Sequence, residues 1–210
     1  MDRLIDGLRA LGGLAAVGTL AVAFVAIFQS LRRPGGRTDR GGRAALRPPI
    51  VLLVMLVFLM AGILLWRPLP IQPSLAVELT VTLLGGLLLF AGLGLYLWGL
   101  RNLGRMFGPS GGFAVRLQEH HRLVTTGPYA LIRHPMYVAA IMVGLGILLL
   151  YPTWATLAFS VAMLGLVVRA RREERILLEE FGPEWQAYAD RVPGWLPRIR
   201  RGRRTSASSR

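Results

Sequence analysis

Cysteine and lysine are both absent from the 210 residues. Without cysteine there is no disulfide, no thiolate metal site and no cysteine nucleophile. Histidine is scarce, with only His120, His121 and His134, so a metal site would have to recruit carboxylates, and none is expected. Acidic residues number 11 against 25 basic ones, and every basic residue is arginine. No serine–histidine–acid set of workable spacing is present, and no glycine-rich phosphate loop. Long stretches also lack charge altogether.

The uncharged stretches dominate what is there. Hydrophobic residues make up 53% of the chain, too many for an ordinary soluble domain of this length. Residues 10–31 carry no charge and are long enough to cross a hydrocarbon core of about 30 Å at about 1.5 Å per residue. Acidic residues in the flank and the missing small-residue cleavage pattern argue against a cleaved leader. Pro48 and Pro49 lead into a second apolar run that closes at Trp66 and Arg67. A third runs from Leu79 to Leu100 and carries Gly85, Gly86, Gly92, Gly94 and Gly99, small residues that let helices approach closely in a membrane. Met136 to Val168 is again uncharged, and Pro152 within YPTW divides it into a helical hairpin. The pattern predicts an all-α integral membrane protein with about five transmembrane helices, spans four and five forming the hairpin. A cytosolic C-terminal helical segment completes it.

A net charge of +14 would suggest nucleic acid in a soluble chain. Here the arginines sit just outside the apolar runs, where membrane topology places them, so nucleic acid is not an expected partner and membrane lipids are. Arg32, Arg33, Arg37, Arg40, Arg43 and Arg47 follow the first run, and Arg101, Arg105, Arg116, Arg122 and Arg133 follow the third. The proline-rich connection after Trp66 holds one arginine and the YPTW turn none. All the positive segments fall on one side of five spans. The N-terminus is therefore expected outside and the C-terminus in the cytosol, across the cell's inner membrane.

The organisation follows. Residues 1–100 hold three apolar helices and an arginine-rich cytosolic loop, 32–49, read as solvated and irregular. Residues 101–200 hold the polar motifs, and 201–210 form a polybasic tail. Two motifs stand out, HRLVTTGPYALIRHPMY (121–137) and EERILLEEFGPEWQAYADRVPGWLP (173–197). Pro135 suits the first turn of a helix, which sets Arg133 and His134 above a helix N-terminus. Gly182 and Pro183 mark a helix stop and a new start. RVPGWLPRI reads as an extended interfacial strip anchored by Trp195. An arginine and a histidine facing a glutamate pair at a membrane surface can bind a zwitterion, the guanidinium taking a carboxylate and a glutamate an ammonium. S-adenosylmethionine carries both groups, and methyl transfer from it needs alignment and electrostatics rather than a protein nucleophile.

In these two motifs, over roughly residues 100–200, the chain resembles the isoprenylcysteine carboxyl methyltransferase family of integral-membrane methyltransferases. Phospholipid N-methyltransferases and bacterial thiol methyltransferases share weaker forms of the pattern. The resemblance implies an S-adenosylmethionine-dependent methyltransferase with a lipophilic acceptor, its cofactor pocket closed by the C-terminal segment. By position, His121, Leu123, Val124, Gly127 and Tyr129 would line the adenosine side. His134, Pro135 and Tyr137 would hold the methionine part, with Glu173 and Glu174 opposite. Arg133 and Arg169 would orient the acceptor, so that Arg133, Arg169 and Glu174 form the expected catalytic set. Met136 and Ala139 depart from the family pattern around Tyr137 and bear on the acceptor pocket. A phospholipid amine or small-thiol methyltransferase, or a non-catalytic membrane protein of the same fold, are the alternatives.

Overall fold

A computed structural model describes residues 5–7, 9–14, 18, 35–38, 48–104, 116–118 and 123–197. His121, most of the first apolar run and the 201–210 tail lie outside the described residues. Helix α1 (Pro48–Leu64) opens on the proline pair, whose missing N–H groups belong to a first turn that needs none. Helix α2 (Leu75–Leu103) is the third apolar run, extended at both ends. A 3₁₀ turn (Gly127–Ala130) leads to α3 (Pro135–Leu150). Helices α4 (Trp154–Met163) and α5 (Gly165–Phe181) are separated only by Leu164, whose backbone is itself helical. Helix α6 (Pro183–Arg191) follows Gly182, whose φ of 50° is the left-handed conformation that glycine tolerates.

By length and composition, α2 and the continuous Trp154–Phe181 helix are able to cross a membrane. Apolar side chains point outward along much of the molecule. On α1, Leu53, Phe58 and Ile63 are 60%, 64% and 61% exposed, which water would penalise and lipid would not. The apolar part of the long helix ends at Val168, since eight of the next thirteen residues, from Arg169 to Phe181, are charged.

The hairpin turn between α3 and α4 is stabilised by a reciprocal cap. Thr153 Oγ1 accepts from the Thr156 backbone at 3.2 Å, and the Thr153 backbone donates to Thr156 Oγ1 at 3.1 Å. This turn meets the other arginine-poor segments. Leu69 donates to the Pro152 carbonyl, and Trp154 donates to that of Arg67. Arg9 bonds the Leu150 carbonyl at 3.1 Å and pairs with Glu78 at 3.0 Å. Arg9, the proline-rich connection and the YPTW turn thus share one end of the bundle.

The expectation of purely helical structure needs one amendment. Strand β1 (Gly35–Thr38) pairs antiparallel with β2 (Arg116–Gln118), Gly35 opposite Gln118 and Thr38 opposite Arg116. The loop read as irregular is therefore partly ordered. Strands this short carry too few residues for an alternating pattern to show.

Helices α2 and α3 form the closest packed pair. A Cβ on Gly146 would lie 2.7 Å from the Leu89 nitrogen and 2.8 Å from the Gly85 carbonyl oxygen. Gly85, Gly92 and Gly99, two helical turns apart, all face α3, whereas Gly94 has open space around it. Gly146→Ala is accordingly expected to destabilise. The gain in helix propensity is about 0.5–1 kcal/mol. The backbone contact cannot move aside as a side chain would, and overpacking of this kind costs about 1–3 kcal/mol. Thermal unfolding in detergent should show a lower midpoint for Gly146→Ala and none for Gly94→Ala. Equal midpoints for the two would refute the glycine seam.

Candidate functional site

At the opposite end from the YPTW turn, the loop before α3 meets the charged extension of α5. Arg133 and His134 stand at the mouth of α3, fixed by Pro135 in its first turn and packed so tightly that His134 is 5% exposed. Glu173 and Glu174 project from α5 just beyond its apolar part.

Glu174 Oε1 is the centre of the arrangement. Arg133 donates to it from Nε at 3.0 Å, its Nη2 forms an ion pair with it at 2.8 Å, and His134 Nε2 lies 2.8 Å away. Burial alone would push the Glu174 carboxyl up. The hydrogen bonds from His134 and Arg133 and the guanidinium charge outweigh it and hold the group below its ordinary range. An ionised carboxylate only accepts, so His134 Nε2 carries the hydrogen in this bond.

Beside it runs a second chain of contacts. Arg169 Nε donates to Tyr137 Oη at 2.8 Å, and Tyr137 Oη donates to Glu173 Oε2 at 2.6 Å. The Arg169 guanidinium lies 5.8 Å from the Tyr137 ring centre, and that ring stacks on His134 at 5.6 Å. Two carboxylates, two guanidiniums and two aromatic faces therefore alternate within one cluster.

The remaining donors of Arg133 reach another element. Nη1 donates to the carbonyls of Ala189 at 2.8 Å and Val192 at 2.9 Å. The backbone N–H groups of Arg133 and His134 donate to the carbonyls of Pro193 at 2.8 Å and Gly194 at 3.1 Å. Residues 189–194 are thereby strapped across the mouth of α3. Trp195 follows, its ring 5.4 Å from that of His134. The segment RVPGWLPRI, expected as an extended interfacial strip, also has partners within the protein, because its carbonyls, which have no neighbours in an extended chain, find donors in the RHP turn. The strap carbonyls and the contact of Trp195 with the His134 ring are the features of this region that the sequence did not single out. The only local signal was Gly194, where a Cβ would sit 3.5 Å from Arg133 Nη2.

The expected adenosine-side residues are placed differently. Leu123 packs against the cluster of Leu177, Trp185, Tyr188 and Val192 that joins α5 to α6. Val124 is half-buried, and His121 lies outside the described residues. Gly127 has a φ of 60°, and a Cβ there would overlap the Asn102 amide, so glycine is demanded by geometry before any ligand is considered. Tyr129 is buried, and its carbonyl accepts from Tyr188 Oη at 2.7 Å. Burial pushes the Tyr188 hydroxyl up to about 12 against the lowering influence of Arg133, so it stays a donor at neutral pH. Tyr188→Phe is expected to cost about 0.5–1.5 kcal/mol, read as a lower thermal midpoint. An unchanged midpoint would mean that this bond does not hold α6 to the 3₁₀ turn. Among the described residues, no group of three or more His, Asp or Glu is placed to hold a metal ion.

Comparison with known proteins identifies the family. The family model for phospholipid methyltransferase matches residues 80–184, half of the chain, taking in most of α2 and everything to the start of α6. The chain is 38% identical over 86 residues to protein-S-isoprenylcysteine O-methyltransferase B of Arabidopsis thaliana, covering 40% of this chain and 43% of that protein. It is 37% identical over 84 residues to the cobalt-zinc-cadmium resistance protein CzcN of Cupriavidus metallidurans, covering 39% and 38%. With the protein-S-isoprenylcysteine O-methyltransferase of Schizosaccharomyces pombe it shares 35% over 88 residues, covering 41% and 37%. The chain thus spans less than half the length of the curated relatives it matches. With half its residues matched by the family model, the chain belongs to the phospholipid methyltransferase family.

Proposed function

We propose that this protein is an integral-membrane, S-adenosylmethionine-dependent methyltransferase acting on a lipophilic acceptor, similar to the isoprenylcysteine carboxyl methyltransferases. One observation carries the reading. Arg133, His134 and Glu174 converge with Tyr137, Arg169 and Glu173 at one end of an apolar helical bundle, inside the region that the family model matches.

The donor set fits the cofactor's chemistry. S-adenosylmethionine offers an ammonium, a carboxylate, an aromatic base and a sulfonium, and its bound methyl group is what it supplies. In this reading, Glu174 takes the ammonium through its second oxygen, Oε2, while Oε1 stays with Arg133 and His134. The faces of Tyr137, His134 and Trp195 suit a sulfonium or a purine ring. Leu123, Val124, Gly127, Tyr129 and His121 belong to the adenosine side. Arg169, positioned by Tyr137 Oη, orients the acceptor. Arg133 acts through the strap and Glu174 rather than by meeting the acceptor, since its donors are already directed into the protein. Closing the strap over the mouth of α3 excludes water, which strengthens each of these interactions.

The topology belongs to the same proposal: five spans, the N-terminus outside and the C-terminus cytosolic. Two observations support it. The arginine-poor segments meet at one end, and the two arginine-rich connections pair through the β ribbon, so each group lies together. On this assignment the site opens to the cytosol, where a soluble cofactor reaches it.

Binding of S-adenosylmethionine to the protein in lipid nanodiscs, followed by calorimetry, tests the reading. Saturable one-to-one binding is expected, and its absence in folded, reconstituted protein would exclude the enzyme.

A further inference from the structure

The Asn102 amide explains why residue 127 is glycine, but Gly127 does not explain why residue 102 is asparagine. The carboxamide stands in the last turn of α2. A Cβ on Gly127 would lie 2.3 Å from its Oδ1, 2.4 Å from Cγ and 2.6 Å from Nδ2. Such similar distances to all three atoms mean that the amide turns its face, not its edge, to the 3₁₀ turn. Covering a glycine needs no polar atom, and an aliphatic side chain would close the same contact. The polar edge is left over, to the side.

That edge has a fixed sense. Nδ2 donates to the Trp98 carbonyl at 2.9 Å, which ties the amide to its own helix. Turning the amide over would set Oδ1 against that carbonyl oxygen, two acceptors face to face. Among the described residues Oδ1 has no hydrogen-bond partner, and Nδ2 carries a second hydrogen. An acceptor and a donor are therefore offered together, in an order the protein sets. Adenine presents the complement, an exocyclic amine beside a ring nitrogen. Hypoxanthine replaces that amine with an oxygen and would meet Oδ1 as acceptor against acceptor.

Asn102 also lies on a path from the polar cluster. Burial, and after it the Glu173 charge, push the Tyr129 hydroxyl up, so Tyr129 is within electrostatic reach of Glu173. A Cβ on Gly99 would sit 3.8 Å from Tyr129 Oη, and Asn102 follows Gly99 by about one turn of α2. The path thus runs from Glu173 past Tyr129 to the end of α2.

We propose that Asn102 selects the adenine base, Oδ1 accepting from the exocyclic amine and the second Nδ2 hydrogen donating to a ring nitrogen. The Trp98 carbonyl acts through Asn102, by holding the amide in the sense that suits adenine. This deepens the cofactor reading given above and rests on it.

Calorimetry in nanodiscs with S-adenosylhomocysteine and S-inosylhomocysteine, which differ only in the base, tests the assignment. The unaltered protein should bind the adenosine compound about 10- to 100-fold more tightly, the discrimination of one two-point contact between an amide and a base. Asn102→Ala should lower the adenosine compound to the affinity of the inosine compound and leave the latter nearly unchanged. Asn102→Leu, which refills the space over Gly127 without a polar edge, should do the same. Equal binding of the two compounds by the unaltered protein would overturn the proposal with no variant needed. So would a preference that survives Asn102→Leu. A loss shared equally by both compounds would also overturn it, because Asn102 would then only support the fold. Binding of neither compound would remove the cofactor reading itself, and this assignment with it.

Discussion

Arg133→Ala is expected to unfasten the strap and leave the bundle standing. The side chain bridges three elements, bonding Glu174 on α5, Ala189 on α6 and Val192 beyond it. Removing one partner of a fully buried ion pair costs about 3–5 kcal/mol. This pair is 18% and 29% exposed, so water recovers part of the loss and about 2–4 kcal/mol is the expected effect. It should fall locally. Hydrogen exchange ought to show lost protection across α6 and residues 189–195, while α2 and α3, held by the glycine seam, keep theirs. Arg133→Lys should rescue little, because an ammonium is a compact point charge and cannot reach a carboxylate and two carbonyls as the planar fork does. Cofactor affinity should drop together with protection, since the same strap closes the site. Unchanged protection in α6 would show that the guanidinium is incidental there. Full rescue by lysine would show that charge alone matters.

The ease with which this site is read from sequence varies from residue to residue for physical reasons. Gly182 and Pro183 announced the α5–α6 boundary because both act through their own backbone, a local effect. The extension of α5 beyond Val168 was equally visible, since the change from apolar to charged residues is abrupt. That Glu174 would meet Arg133 and His134 followed from counting crossings. A hairpin turned at Pro152 returns the chain to the face it left. The destination of Trp195 was hidden, because an extended segment has no periodicity and its partners are backbone donors far away in sequence. Gly92 and Gly94 look alike as letters, yet only the first faces α3. The spacing of Gly85, Gly92 and Gly99 held that information, and composition alone did not. Gly127 shows the converse. It matched a ligand-lining position, but the nearby Asn102 amide and its positive φ already account for the glycine.

Glu174→Gln should weaken cofactor binding and remove an acid-sensitive component of stability at one stroke. Glutamine keeps the shape and an accepting oxygen but loses the charge that Arg133, His134 and an incoming ammonium all use. A hydrogen bond to a charged partner contributes about 1.5–3 kcal/mol, so affinity should fall roughly 10- to 150-fold in calorimetry. The pH dependence has a definite sign. The Glu174 carboxyl titrates below its ordinary value of 4.5 in the folded protein. Its stabilising contribution is therefore complete above that value and is lost as pH falls through the lower folded one. The difference in thermal midpoint between the unaltered protein and Glu174→Gln should be constant at neutral pH and shrink only in the acid range. Taking that difference cancels the other carboxylates, which titrate in both proteins. Strap protection should follow the same course, because the proton that neutralises Glu174 also releases the Arg133 fork. A gap that instead narrowed toward alkaline pH would place the controlling group elsewhere. Undiminished affinity in Glu174→Gln would remove the ammonium from this carboxylate, leaving Glu173, already bonded to Tyr137, as the acid to examine next.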